Sequence, residues 1–507
     1  MNDRTPLSAP LKIVLGLVVC AMLWLRLTVD FNTPYLDECD YIFVGRVLLS
    51  GGQWQTQTYI FSSNFPLYVM GLADKAAALV GEGYLAARIL ACLLGAWSLW
   101  CYYRAVSCLF DNKSTGAWAT LLFALQAPHI FISKFATYDI VCMAWFAPAM
   151  WMLACALRSA QGGIIMSQGM PQNEASISLT RPMFFALAAT VLLLGAILSK
   201  YIALAYAPLL VVVLWIARHR VGAVVATLLG ASVLSAYVWY YRAELWALYH
   251  NHILGDHKAN STYLQILGII ASYCGLLVVL IGSLWLWLRT KTTLLNVRLY
   301  VGLAVFSLPL LLYHLYTRDL LSLNKHAVYG VFFLAPIAAD LLRAGFDAPL
   351  VRRTYIQLVA AGCSVLVLAV NWYHVYQMEH AFPRTASVVE RVKQSMTPQT
   401  TIMSEDPYLF RYHFYPTLDI PQLAEMSWFD NNADGKFEQQ DVIDALWDGK
   451  FEYVYINEQI VPYELRLKLI EGVLPHSYDK IYEEPYSISQ VMNRHNAGIM
   501  RLYKRRY

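Results

Sequence analysis

Phe31-Asn-Thr-Pro-Tyr-Leu-Asp37-Glu38-Cys-Asp40 follows directly on the first long apolar segment, where a chain that has crossed a bilayer re-enters water. Three carboxylates, Asp37, Glu38 and Asp40, fall within four residues there. If a helix begins at Glu38, Asp37 is its N-cap and the other two lie in the first turn, where free N–H groups and the helix dipole favour negative charge. The alternative is a carboxylate held at the membrane surface as a general base. The local sequence supports both readings, and the rest of the chain must decide between them.

Of the 507 residues 58% are hydrophobic and 14% charged, with a mean hydropathy of +0.45. A soluble chain carries roughly 25% charged residues, so this composition reads as a polytopic α-helical membrane protein. The 15 Trp and 34 Tyr suit interfacial belts. A net charge of +4 with no basic run among aromatics excludes nucleic acid as a partner. The nine cysteines, all but Cys39 in or beside apolar segments, show no CxxC spacing and imply neither a disulfide framework nor zinc.

Leu11 to Asp30 is too long for a signal-peptide core and lacks a small-residue cleavage site, so it reads as the first span, with Arg26 snorkelling at its outer end. Residues 31–84 form a long outer loop. Tyr41–Leu49 is helix-like, Gln53–Ile60 leans towards strand, and Leu67–Val80 is amphipathic, which suggests two interfacial helices. Further spans fall at Leu85–Phe110, Gly116–Ile132 and Ile140–Leu157. The Gly/Gln/Ser-rich connection Arg158–Pro182 reads as flexible. Met183–Ile216 reads as two spans hinged at Lys200, and five more end at Trp372, making about eleven.

Lys and Arg are denser in the short connections that include Lys113, Arg218, Arg220, Arg352 and Arg353 than in the longer ones that include Lys134, Lys200 and Lys325. The first set is therefore expected inside. This gives a multi-pass protein of the plasma (inner) membrane with a cytoplasmic N-terminus and an extracytoplasmic C-terminal region. The division expected is a transmembrane domain at 1–373, with its first outer loop at 31–84, and a small α/β domain at 374–507. That domain has strand-like runs at Thr401–Ser404, Phe451–Ile456 and Gly498–Tyr503 between helix-like Asp441–Trp447 and Pro462–Gly472.

The ionisable residues of the spans, including Asp37, Glu38, Lys134, Asp139, Lys200, His252, Lys325 and His326, map to their outer ends, and the span interiors are nearly free of charge. A coupled transporter usually needs charged or broken-helix sites near the midplane. Here chemistry is placed at the outer lipid–water boundary, which suits a substrate with a greasy tail and an anionic head. Lysines there are suited to phosphate, and a carboxylate to the proton of an incoming hydroxyl. Each residue also has a plainer reading: lysines as headgroup anchors, Asp139 as a cap, and the histidines as solvated or, with Asp256, metal-binding loop residues.

The order of these features carries a resemblance. After the first span come Asp37-Glu38, Val44 to Gly51-Gly52-Gln-Trp54, Tyr84-Leu-Ala-Ala-Arg88, Lys134-Phe-Ala-Thr-Tyr-Asp139, Leu198-Ser-Lys200, His250-Asn-His252 and Asn324-Lys325-His-Ala-Val-Tyr329. The chain resembles the GT-C type membrane glycosyltransferases, in the broad branch with protein O-mannosyltransferases and the lipid A aminoarabinose transferase, over roughly Leu11 to Leu342. The resemblance implies a polyprenyl-phosphate sugar donor, inverting transfer to a glycan, lipid or protein acceptor among membrane lipid, and no cofactor required for catalysis. It implies Asp37 as the catalytic aspartate with Glu38 as its acidic neighbour. Asp139, Lys134, Lys200, His252, Lys325 and Tyr329 fall to substrate or phosphate binding. The chain departs from the aminoarabinose transferases in having Asn64-Phe65-Pro66 where they carry Lys-Pro-Pro, and Gly255 near the position of a loop arginine. It lacks the Trp-Trp-Asp-Tyr-Gly motif of oligosaccharyltransferases.

One motif lies apart. Asp430-Asn-Asn432-Ala-Asp434-Gly435-Lys-Phe437-Glu438-Gln-Gln-Asp441 has the spacing of a calcium loop, with metal ligands at Asp430, Asn432, Asp434, Glu438 and Asp441, although position twelve is Asp rather than Glu. A polar turn capping the next helix explains the same residues. Competing functions are a cell-envelope polysaccharide polymerase or ligase, which would need its large outer loop late among the spans, and a multispan transporter.

Overall fold

The computed structural model describes residues 9–34, 36–52, 63–76, 83–166, 172–216, 220–248, 261–288, 294–318, 320, 322–346, 350–432, 438–458, 463–488 and 497–506. Two compact units emerge, each discontinuous in sequence. One comprises Met1–Val29, Gln55–Pro66 and Arg88–Val375; the other comprises Asp30–Trp54, Leu67–Ala87 and Tyr376–Tyr507. The first outer loop, expected to group with the spans, thus shares most of its residues with the C-terminal segment. The reason is local: the helix Pro407–Phe414 packs on the helix Leu36–Leu49.

The first unit is a helical bundle. Among the described residues eight helices are long and apolar enough to cross a membrane: Gly83–Leu109, Tyr138–Ser159, Pro182–Ser199, Arg220–Tyr240, Tyr263–Trp285, Val297–Thr317, Leu323–Phe346 and Gln357–Glu379, with shorter apolar helices at Ile13–Leu27 and Tyr201–Trp215. The helix Leu323–Phe346 is the centre: 89% of its apolar window is covered, against 17% for Arg220–Tyr240. It packs on Lys113–Ala124, Ala127–Ile132, Tyr263–Leu288 and Pro309–Thr317.

Three expectations are corrected. The span expected at Gly116–Ile132 is two helices, Lys113–Ala124 and Ala127–Ile132. Pro128 lacks an N–H, and its ring would clash with the carbonyl of Ala124 in a continuous helix, so the chain breaks and restarts at Ala127. Asn112 Oδ1 caps the first piece through Ser114 N and Thr115 N, at 2.9 and 3.0 Å, and Asn371 Oδ1 accepts from Ala127 N at the break, at 2.5 Å. Much of the connection read as flexible is helical, since the helix Tyr138–Met166 runs past Arg158 and the next, Gln172–Ser199, begins before Pro182. Arg26 does not snorkel. It is buried, donating to Ala124 O and to His129 Nδ1, both at 2.8 Å. The hinge at Lys200 stands as expected, with Gln172–Ser199 ending there and a 3₁₀ turn, Tyr201–Tyr206, leading into Ala207–Ile216.

The second unit holds a five-stranded sheet. Its strands are β1 (Ile402–Ser404), β2 (Leu423–Glu425), β3 (Tyr453–Ile456), β4 (Tyr478–Ser487) and β5 (Ala497–Arg505), in the order β2-β1-β3-β5-β4. β1 pairs parallel with β2 and β3, while β5 runs antiparallel to β3 and β4. Each face carries a hydrophobic core. Val442, Ala445, Leu446, Leu465 and Leu469 cover one side, and Val388, Val392, Leu409, Phe410 and Phe414 the other. Helices on both faces make this the α/β architecture expected of the tail.

Candidate active site

In the first unit three expected residues converge. Asp139 lies in the first turn of the helix Tyr138–Met166. Lys200 caps the 3₁₀ turn after Ser199, with extended backbone. Lys325 lies in the first turn of the central helix. Lys200 Nζ is paired with Asp139 Oδ1, and Lys325 Nζ stands 3.9 Å from Asp139 Oδ2. All three are buried, at 3%, 4% and 2% exposure for Lys200, Asp139 and Lys325. The lysine ammonium of Lys200 also faces the ring of Tyr138 at 4.7 Å.

Two ammonium groups thus face one carboxylate in a buried place, where charge is kept only when it is paired. Asp139 Oδ2 is itself buried and has no hydrogen-bond partner among the described residues.

Tyr329 is on the same helix as Lys325. Its hydroxyl shares a hydrogen bond with Cys142 Sγ at 3.0 Å, and its ring stacks on Tyr206 at 5.5 Å and meets the edge of Phe146. Sequence reasoning did not single out Tyr206, Cys142 or His314. His314 Nε2 meets His326 Nδ1 at 2.7 Å, and His326 Nε2 is buried without a hydrogen-bond partner among the described residues. The only sequence signal was the placement of His326 beside Lys325. Lys134, fully buried, donates to Thr28 Oγ1 at 3.2 Å. His252 lies outside the described residues.

In the second unit the acidic stretch opens the helix Leu36–Leu49, with Asp37 and Glu38 both in its first turn. Asp37 is therefore not the N-cap; the helix starts one residue before it. Asp37 is half-buried and Glu38 fully buried. Asp40 is buried with Oδ1 unpartnered among the described residues. Burial pushes its carboxyl well above the usual carboxylate range, the nearby charge of Asp37 adds to this, and Arg411 opposes it. Glu425, against the same Arg411 at 3.9 Å, is pushed up to about 7, mainly by burial.

For the calcium motif the donor set of carboxylates and an amide fits a hard cation, but Asp434 and Gly435 lie outside the described residues. Asp441 Oδ2 accepts from Glu438 N at 3.4 Å in the capping box of the helix Gln439–Trp447. Asp430 and Asn432 precede it in an irregular segment. Among the described residues no group of three or more His, Cys, Asp or Glu is arranged to hold a metal ion.

No family model and no curated protein matches the sequence. Solved structures do. ArnT from Cupriavidus metallidurans in the apo state aligns with a TM-score of 0.60 at 15% identity over 97% of this chain and 98% of that one. The same protein bound to undecaprenyl phosphate aligns at 0.58, with 13% identity and the same coverage. The Archaeoglobus fulgidus oligosaccharyltransferase AglB, in complex with an inhibitory peptide and a dolichol-phosphate, aligns at 0.53 with 13% identity over 96% of this chain and 74% of that one. By this likeness along nearly its whole length, this protein has the GT-C fold.

Proposed function

We propose that the chain is a membrane glycosyltransferase that moves a sugar from a polyprenyl-phosphate carrier to an acceptor hydroxyl at the outer face of the plasma (inner) membrane, with inversion. The observation that carries the reading is the buried pairing of Lys200 and Lys325 with the single carboxylate of Asp139, on a fold whose solved examples include complexes with undecaprenyl phosphate and dolichol-phosphate.

In this reading Asp37 takes the acceptor's proton. A hydroxyl is a poor nucleophile at neutral pH, and general-base help contributes about 10²–10⁴-fold. Negative charge grows on the phosphate as the glycosidic bond breaks. Lys200 and Lys325 stabilise it more strongly than water-exposed lysines would, because they sit in a medium of low dielectric constant. Glu38 orders the loop or contacts the acceptor, and Tyr329, on the same helix as Lys325, serves donor binding.

The test is applied to the full chain in lipid nanodiscs with a pool of undecaprenyl-phosphate hexoses and pentoses and fractionated envelope lipid, glycan and protein as acceptors. Released undecaprenyl phosphate, the product common to every such donor, is measured, together with the anomeric configuration of the new linkage. Release with inversion, lost in Asp37→Asn while undecaprenyl phosphate still binds, is the expected result. Near-normal release by Asp37→Asn, or sugar crossing the bilayer still attached to its carrier, overturns it.

A further inference from the structure

The helix that carries Asp37 is held at its opposite end. Arg46, nine residues further on, donates from Nε and Nη2 to the two carboxylate oxygens of Asp74, each at 2.8 Å. Its Nη1 donates to Tyr412 O at 2.8 Å and Tyr415 O at 3.3 Å. The guanidinium also lies 5.0 Å from the centre of the Tyr412 ring, whose hydroxyl accepts from Tyr84 N at 2.9 Å. One side chain therefore joins the helix Leu36–Leu49, the helix Phe65–Lys75 and the end of the helix Pro407–Phe414.

The residue before it removes the remaining freedom. A Cβ on Gly45 would overlap Leu67 O and stand 2.7 Å from Gly71 N, and a Cβ on Gly71 would stand 2.9 Å from Gly45 Cα. The two first-loop helices cross backbone to backbone, a contact that only glycine at both positions permits. The edge of Phe43 against Tyr415, at 5.4 Å between centroids, closes the same side. Together these contacts fix both the register and the rotation of the 14-residue helix.

We propose that Arg46 is a positioning residue for sugar transfer. By tying the first-loop helix to the C-terminal domain it sets where the carboxylate of Asp37 stands, and the C-terminal domain is thereby part of the catalytic apparatus. This rests on the reading of Asp37 as the base. A helix rises about 1.5 Å per residue and behaves as a stiff rod over such a span, so a shift at Arg46 reaches Asp37 nearly undiminished. A displacement of about 1 Å costs on the order of 10²-fold in rate. Lysine keeps the charge of arginine but has no planar fork to hold a carboxylate and two carbonyls together.

The experiment uses the full chain in nanodiscs with the same pool of undecaprenyl-phosphate sugars. Arg46→Lys and Gly45→Ala are each expected to lower kcat about 10²-fold while the KM for donor and the Kd for undecaprenyl phosphate stay within about twofold. The decisive comparison places Arg46→Lys in the Asp37→Asn background. With no base left to misplace, it is expected to change the residual turnover by less than about twofold. A drop there as large as in the wild-type background makes Arg46 a purely structural residue and overturns the proposal, as does a folded Arg46→Lys with normal kcat. If Arg46→Lys does not fold, Asp74→Asn, which preserves shape and weakens one arm, carries the same comparison. Normal turnover in Asp37→Asn itself refutes the underlying reading instead, so the two failures are distinguishable.

Discussion

Lys325 and Lys200 do not occupy equivalent positions around Asp139. Lys200 is joined directly to Oδ1, whereas Lys325 stands 3.9 Å from Oδ2. In the proposed reading Lys325 contacts the donor phosphate, while Lys200 holds the aspartate. Lys325→Ala is therefore expected to weaken undecaprenyl phosphate binding by 10-fold or more, since a hydrogen bond to a charged group is worth about 1.5–3 kcal/mol. Lys200→Ala is expected to lower thermal stability as well, because it leaves the buried Asp139 without its nearest partner. Titration calorimetry and thermal melts of the two variants separate these effects. Glu425 provides a second test at this scale. Its carboxyl, raised to about 7 by burial, binds its proton more tightly in the folded chain than in the unfolded one. The stability it contributes is full below the ordinary glutamate range and is lost as pH rises through about 7. His413, lowered to about 4 by burial and by Arg46 and Lys393, acts in the opposite sense, losing stability as pH falls below the ordinary histidine range. The difference in melting temperature between wild type and Glu425→Gln, followed from pH 5 to 8, is expected to grow in favour of the variant as pH rises. A flat difference contradicts the shift.

At the scale of elements, Asp340 shows how the central helix is fixed. Its Oδ1 accepts from Thr115 Oγ1 at 3.1 Å and Arg343 Nε at 3.0 Å, and its Oδ2 from Tyr300 OH at 2.7 Å, joining three helices at a buried point. Asp340→Ala is expected to destabilise the bundle by about 3–5 kcal/mol, the usual loss when one partner of a buried charged network is removed, read as a lowered melting temperature in detergent. Such networks were not legible in the sequence, whereas the spans were, because apolar length alone sets a crossing helix. The cluster of Asp139, Lys200 and Lys325 was legible for the converse reason: an ionisable residue in an apolar run is conspicuous. His314 was not, since its partner His326 is twelve residues away across a turn. Arg26 misled because a position near a span end implies snorkelling only if that end faces lipid, and here Ala124 and His129 cover it. In the tail, β1, β3 and β5 were read from their apolar runs. β4 escaped because an exposed edge strand, with Lys480, Glu483, Glu484 and Pro485, carries the polar residues that protect an edge and so hides its period.

For the whole molecule the testable quantity is sidedness. From the charge bias the connection at Arg218–Arg220 is expected inside and the C-terminal domain outside. In a cysteine-free background, an impermeant maleimide added to intact cells is expected to label Asp430→Cys and not His219→Cys until the cells are opened. The reverse pattern would place Lys200, Lys325 and the proposed chemistry on the cytoplasmic face.

The discontinuity of the second unit has a consequence for biosynthesis. Arg46 leaves the ribosome early, but its carbonyl partners Tyr412 and Tyr415 follow 366 and 369 residues later. At a synthesis rate of about 5–20 residues per second that is a wait of roughly 20–70 s. Throughout it the helix Leu36–Leu49 has its crossing to the helix Phe65–Lys75 and lacks its third support. The nascent chain therefore completes the support of its first-loop helix only once Tyr415 has been translated.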